Sequence, residues 1–172
     1  MVDLKFYKMS EDVLDPKFGT EGSACFDLHA YLKPGSSILV YGPYNKKIPL
    51  YVKTTPESTG FITIVSGDRI LIPTGIIFDI PQDHKIHLYV RSSVALKKGL
   101  VLANSVGIID EDYYHETFVM LHNISGNSVM IEDGERIAQA ACVPKYRYSL
   151  TQTIQQPQQK TDRIGGFGST GN

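Results

Sequence analysis

The sequence predicts an all-β sandwich or barrel with one short helix, and three observations carry that expectation. Short apolar runs rich in Ile, Val, Tyr and Phe recur along the chain, turn signals separate them, and no stretch has the length or period of a long helix. The runs fall in order at 38–41, 61–65, 70–72, 75–80, 85–90, 117–123 and 137–143. Each is three to seven residues long and rich in β-branched or aromatic residues, as strands of a packed sheet are. Between them lie Pro34-Gly35, Ser66-Gly67-Asp68, Pro81-Gln82-Asp83, Gly126-Asn127 and Asp133-Gly134, residue types that accept tight turn geometry. The one helical piece expected is 93–98, a turn or two capped by Ser92 or Ser93.

With 172 residues the chain suits one domain. We expect that domain to span 1–150 and an arm to span 151–172. After Leu150 the composition shifts to Thr151-Gln152-Thr153-Ile154-Gln155-Gln156-Pro157-Gln158-Gln159-Lys160, which has little to bury and reads as a flexible tether. Fully extended, residues 151–162 would reach roughly 40 Å, enough to cross to a neighbouring subunit. Seventeen basic residues against eighteen acidic leave a net charge of -1, so binding along a nucleic-acid backbone is not expected. No run of about 18 apolar residues is present, and no membrane span is expected. The start of the chain lacks the layout of a signal peptide and the cysteines are only two, Cys25 and Cys142, so a cytoplasmic setting (host cytoplasm for a viral source) is expected. In that setting the sequon Asn123-Ile124-Ser125 carries no weight.

Three segments hold residue types suited to chemistry. Arg91-Ser92-Ser93 leaves a strand and opens the helix, which suits an anion, although an ordinary strand end with a serine cap would look the same. Gly107-Ile108-Ile109-Asp110-Glu111-Asp112-Tyr113 spaces Asp110 and Asp112 two apart, so extended backbone would point both carboxylates one way. Such a pair near phosphate serves as base and metal partner, and the aromatic ring three residues on would pack against a sugar; an acidic hairpin tip is the alternative. Gly166-Phe167-Gly168-Ser169-Thr170-Gly171 matches a dinucleotide fingerprint only in letters, because no strand and helix flank it. The five histidines show no metal-ligand spacing and read as surface or satisfied residues, and the cysteines read as packing residues.

Taken together, five ordered segments resemble the motifs of the trimeric dUTPase family. They are Gly22-Ser23-Ala24-Cys25-Phe26-Asp27-Leu28-His29-Ala30, Arg91-Ser92-Ser93-Val94-Ala95-Leu96, Asn104-Ser105-Val106 running on to Tyr113, Gly134-Glu135-Arg136-Ile137-Ala138-Gln139, and the glycine-rich tail. The resemblance implies a distorted, jelly-roll-like β-barrel, a homotrimer with shared active sites, and Mg2+-assisted hydrolysis of dUTP to dUMP and pyrophosphate. It makes Asp110 the general base. It has Asn104, with the backbone of Gly107 and Ile109, read the uracil edge and Tyr113 stack on the deoxyribose. Arg91, Ser92, Ser93 and Gln139 would hold the phosphates, and Asp27 the metal through water. In the tail, Phe167 would stack over uracil, Arg163 reach the γ-phosphate, and Gly168 and Ser169 complete the phosphate contacts. His115 stands where the family usually has a glycine after the tyrosine.

Residues 36–69 are longer than a compact member of the family needs, and Tyr41-Gly42-Pro43-Tyr44 with Ile48, Leu50, Tyr51 and Val52 predicts an added surface hairpin, either a neutral elaboration or a contact surface for a protein partner or a neighbouring subunit. Two rival functions share many of these features. A dCTP deaminase-like enzyme would use a glutamate, for which Glu116 offers itself. A nucleotide-binding regulatory protein would act through the insert.

Overall fold

The computed structural model describes residues 2–162. In chain order the elements are β1 (Lys5–Lys8), β2 (Lys17–Phe18), β3 (Phe26–His29), β4 (Ser37–Tyr41), β5 (Lys47–Tyr51), β6 (Lys53–Thr54), β7 (Gly60–Ile64), β8 (Arg69–Pro73), β9 (Ile76–Asp79) and β10 (His84–Val90). They continue with α1 (Ser92–Lys98), β11 (Leu100–Leu102), β12 (Gly107–Ile109), β13 (Phe118–Asn123), β14 (Val129–Glu132) and β15 (Arg136–Pro144). All seven expected runs are strands, and the expected all-β fold with one short helix is what forms.

Two five-stranded antiparallel sheets make the body, one ordered β12-β10-β15-β3-β2 and the other β11-β13-β8-β4-β5. A three-stranded sheet β14-β7-β6 and the pair β1-β9 complete the strands. The sheets are open, joined into a jelly-roll-like sandwich rather than one closed barrel. Alternation decides what each sheet buries: Ile86 and Leu88 of β10, Ile70 and Ile72 of β8, and Val119 and Leu121 of β13 point into a single apolar cluster. Burial of these β-branched and leucine side chains supplies about 1.5–3 kcal/mol each before entropy is charged against it.

Residues 36–69 are built into this core rather than appended to it. Strand β4 pairs with β8 and buries Ile38 and Val40, and β7 pairs with β14 and buries Ile62 and Ile64. Length against compact relatives reveals that residues are extra, but not which ones. At Gly60 a side chain is excluded, because a Cβ would meet the Leu32 carbonyl oxygen at 2.0 Å. Only the outer part is a surface hairpin: β5 is an edge strand carrying Pro49, Tyr44 stands almost wholly exposed at the turn, and Ile48 and Tyr51 face solvent. Arg69 ties the tip to the sheet through the Gly42 carbonyl and the Asn45 side chain.

The helix also begins differently from expectation. Neither serine caps α1; Arg91 occupies the cap position in extended conformation without a side-chain cap bond, and Ser92 is already helical. The helix starts earlier than the serine signal suggests, so the extended backbone that follows β10 ends at Arg91. Gly99, with φ +61°, closes the helix by returning its N–H to Ala95.

Asn123 is fully buried at the end of β13, which removes it as a glycosylation acceptor. Its amide donates to the carbonyls of Ile64 (2.9 Å) and Asn127 (2.8 Å), and its Oδ1 accepts from the N–H (3.0 Å) and Oγ (2.7 Å) of Ser125. Asn123→Ala strands the Ile64 carbonyl and the Ser125 amide inside the protein. We expect a loss of about 2–4 kcal/mol in urea unfolding, where a neutral result would show that the network relaxes.

Candidate active site

The two five-stranded sheets meet along β11 and β12, edge strands joined by the short turn that carries Asn104. At this junction lies a cavity of about 400 Å³, large enough for a small ligand. Its walls are Leu71 of β8, Leu88 of β10, Leu102 of β11 and Phe118 and Met120 of β13, and its rim carries Asn104, Asp110, Asp112 and Tyr113. Gly107 and Ile109 line it from β12. Five of the expected site residues, Asn104, Gly107, Ile109, Asp110 and Tyr113, therefore come together in one apolar slot with a polar mouth.

The acidic stretch is not extended as the spacing argument supposed. It turns at Asp110, whose carbonyl accepts from the Tyr113 N–H at 3.1 Å, because β12 ends at Ile109 and no strand continues the ladder. Both Asp110 and Asp112 nevertheless reach the cavity, while Glu111 turns away as an anchor. Glu111 accepts from the Asp83 N–H at 2.7 Å and pairs with Lys145 at 2.6 Å; the Lys145 ammonium beside it holds its carboxyl below the usual range. The turn is thus tied to the start of β10 and the end of β15, leaving two carboxylates at the mouth.

Asp27, Arg91, Ser92 and Gln139 are brought together elsewhere. They line a second cavity of about 300 Å³ with Arg136, and this cavity shares no lining residue with the first. Register explains the grouping: Gln139 on β15 lies opposite both Tyr89 on β10 and Asp27 on β3. Asp27 receives Arg91 Nε on one carboxylate oxygen at 2.8 Å and Arg136 Nη1 on the other at 3.1 Å. Two guanidiniums against one carboxylate leave the cavity locally cationic in a chain of net charge -1. Gln139 donates to the Val90 carbonyl at 3.2 Å, which fixes the strand end before α1. Ser93 stands outside this cavity, within 3.5 Å of Arg91. Arg163, Phe167, Gly168 and Ser169 lie outside the described residues.

Arg136 is a side chain of this cavity to which the sequence assigned no role. Its partner is 109 residues away, and nothing in a lone arginine at a strand start announces such a contact. The histidines correct the expectation in part. His29 Nδ1 and His87 Nε2 are buried without a hydrogen-bond partner among the described residues, although His87 Nδ1 lies 3.0 Å from the Tyr89 hydroxyl. Outward-facing positions of a sheet read as exposed in sequence, yet neighbouring side chains cover these rings. Both cysteines are half-buried free thiols, and burial pushes both thiols up, Asp27 adding to the effect at Cys25, as inert packing residues require. No group of three His, Cys, Asp or Glu among the described residues is placed to hold a metal ion, and no described helix is long and apolar enough to cross a membrane.

Glu116 is placed away from this chemistry. Its carboxylate accepts from the Gly75 N–H at 2.7 Å and lines a separate cavity with Tyr31, Lys33 and Ser37. A deaminase glutamate would have to face the slot behind Asn104, and Glu116 does not. Burial pushes its carboxyl above the usual range despite that hydrogen bond. A folded-state pKa above the unfolded one means that its contribution to stability is complete below the unfolded value and is lost as pH rises through the folded value. Glu116→Gln keeps an acceptor and removes the titration, so its melting temperature relative to wild type should be higher at pH 7 than at pH 4. A difference independent of pH would contradict the assignment.

An apolar slot with a carboxylate mouth and a separate arginine-lined cavity, carried on a scaffold of strands with one short helix, are what these residues build. The family model described as dUTPase matches residues 46–171. The chain belongs to the dUTPase family. Among curated proteins it is similar to the deoxyuridine 5'-triphosphate nucleotidohydrolase of Hydrogenobaculum sp. (strain Y04AAS1), 33% identical over 165 residues that cover 95% of this chain and 94% of that protein. Among solved structures it shares the fold of the Staphylococcus bacteriophage 80alpha dUTPase with dUPNHPP, at a TM-score of 0.74 and 20% identity with both chains fully covered. It also shares the fold of a variant dUTPase from phage phi11 of S. aureus, a structure described as revealing the coordination of a structural Mg(II) ion, at a TM-score of 0.64 and 17% identity over 90% of this chain and 98% of that one.

Proposed function

We propose that this chain hydrolyses dUTP to dUMP and pyrophosphate, with Asp110 as the general base that orients and deprotonates a water for attack on the α-phosphorus. One observation carries the reading: the chain of a dUTPase-family protein folds Asn104, Gly107, Ile109, Asp110 and Tyr113 around a single apolar slot. A pyrimidine enters the slot between Leu88, Leu102 and Met120, with Asn104 and the β12 backbone at its polar edge. Tyr113, at the mouth, packs on the deoxyribose and leaves no room for a 2′-hydroxyl. Asp110, on the same rim and without an ion-pair partner among the described residues, is left to take the proton of the water.

The phosphates then belong to Arg91, Ser92, Ser93, Gln139 and Arg136. Because the slot and the cationic cavity share no residue, we propose that subunits of a homotrimer complete each site for one another. Arg163, Phe167, Gly168 and Ser169 of the arm would close over the nucleotide and exclude water. Mixing two inactive chains, Asp110→Asn and Arg91→Ala, should restore part of the activity in mixed oligomers, and no recovery would contradict sharing.

Magnesium fits this arrangement in one way only. Both Asp27 oxygens already accept from guanidiniums, so the carboxylate suits a water of the metal's hydration shell and not a direct bond. Bound with the nucleotide, Mg2+ would neutralise charge on the leaving pyrophosphate. The domain at 1–150, the arm at 151–172 and a cytoplasmic location complete the proposal. Offering dUTP and dCTP separately tests it: release of pyrophosphate from dUTP is expected, and ammonia from dCTP would overturn it.

A further inference from the structure

We propose that His115 and Glu116 are positioning residues that brace the Tyr113 ring and so set discrimination against ribonucleotides. Tyr113 has two contacts that fix its ring. Its hydroxyl donates to the Glu116 carbonyl at 3.0 Å, and the His115 ring meets it edge to face, with centroids 5.7 Å apart and planes at 77°. Both contacts come from the loop that follows the ring, and that loop is exposed from Asp112 to His115. A brace made by a free loop would move with it.

Glu116 is where this loop is fastened to the scaffold. The bond from the Gly75 N–H to its carboxylate reaches across to the turn between β8 and β9. That turn is closely packed and tied in: at Gly75, with φ +69°, a Cβ would meet Val13 Cγ2 at 2.5 Å, and the Gly75 carbonyl accepts from the Met9 N–H at 2.9 Å. One residue on, the Thr117 N–H donates to the Ile76 carbonyl at 2.7 Å and the Thr74 hydroxyl donates to the Thr117 carbonyl at 2.6 Å. The carboxylate of Glu116 extends this fastening by one residue toward the ring, and its own backbone carbonyl then holds the Tyr113 hydroxyl. His115 supplies the second contact with its ring, an edge-to-face brace that a residue without a ring does not offer.

The inference rests on the reading of Tyr113 as the sugar gate, and its test separates the two. The ratio of kcat/KM for dUTP to that for UTP is measured for wild type and for the Tyr113→Ala, Glu116→Ala, Glu116→Gln and His115→Ala proteins, with melting temperatures alongside. We expect Tyr113→Ala to lower the ratio about a hundredfold, and Glu116→Ala and His115→Ala to lower it about tenfold with kcat for dUTP nearly kept. Glu116→Gln, which still accepts from Gly75, should retain the ratio. A Glu116→Ala protein that melts earlier but discriminates like wild type, together with an unchanged His115→Ala ratio, overturns the brace while leaving the gate in place. An unchanged Tyr113→Ala ratio overturns both. Should Glu116→Ala fail to fold, His115→Ala decides, since an exposed ring can be removed without opening the core.

Discussion

Asp110→Asn is expected to lower kcat for dUTP by about 10²–10⁴-fold, some 3–5 kcal/mol of barrier, while nucleotide binding is preserved. The substitution is isosteric, so the slot keeps its apolar walls of Leu71, Leu88, Leu102 and Met120 and its Asn104 edge. What it removes is the proton acceptor. Titration calorimetry with a non-hydrolysable dUTP analogue should therefore return an affinity close to wild type, and steady-state assays should show nearly all of the loss in kcat. Turnover within a few-fold of wild type would pass the role of base to another group, with Asp112 on the same rim the first to examine.

Ending the chain at Lys160 is expected to reduce turnover by about 10²-fold or more, because closure over the nucleotide supplies donors and excludes water. Stability should be untouched. Thr161 and Asp162, the first two residues removed, are exposed and outside the apolar core, as is all of 151–160 before them. Unfolding and oligomer mass are the controls that show the fold is intact. Full activity in the shortened protein would make the arm dispensable and leave the phosphate contacts to Arg91, Ser92, Ser93, Arg136 and Gln139.

Much of this architecture can be read from one-dimensional pattern, because a half-buried strand leaves a period of two in the sequence. Strands such as β10, with Ile86 and Leu88 inward and Lys85, His87 and Tyr89 outward, are legible for that reason. The short strands β2, β6, β11 and β12 are not, since two or three residues carry no period. Glycine at 107 and the aspartates that follow mark the slot in advance, but the turn that brings Asp112 and Tyr113 to its mouth depends on Glu111 finding Lys145 and Asp83. The same limit hides Arg136, whose meaning is a contact with Asp27 across two strands. It also hides the anchoring role of Glu116, which in sequence is only a carboxylate close to the site and in space faces another cavity. Long-range pairing, not residue type, separates what is legible from what is not.

The route of the attacking oxygen tests the central claim most directly. Hydrolysis of dUTP in 18O-labelled water, with the products resolved by mass spectrometry, should place one labelled oxygen in dUMP and none in pyrophosphate. Label in pyrophosphate would mean attack at the β-phosphorus, and an oxygen positioned by Asp110 behind the α-phosphorus would be contradicted.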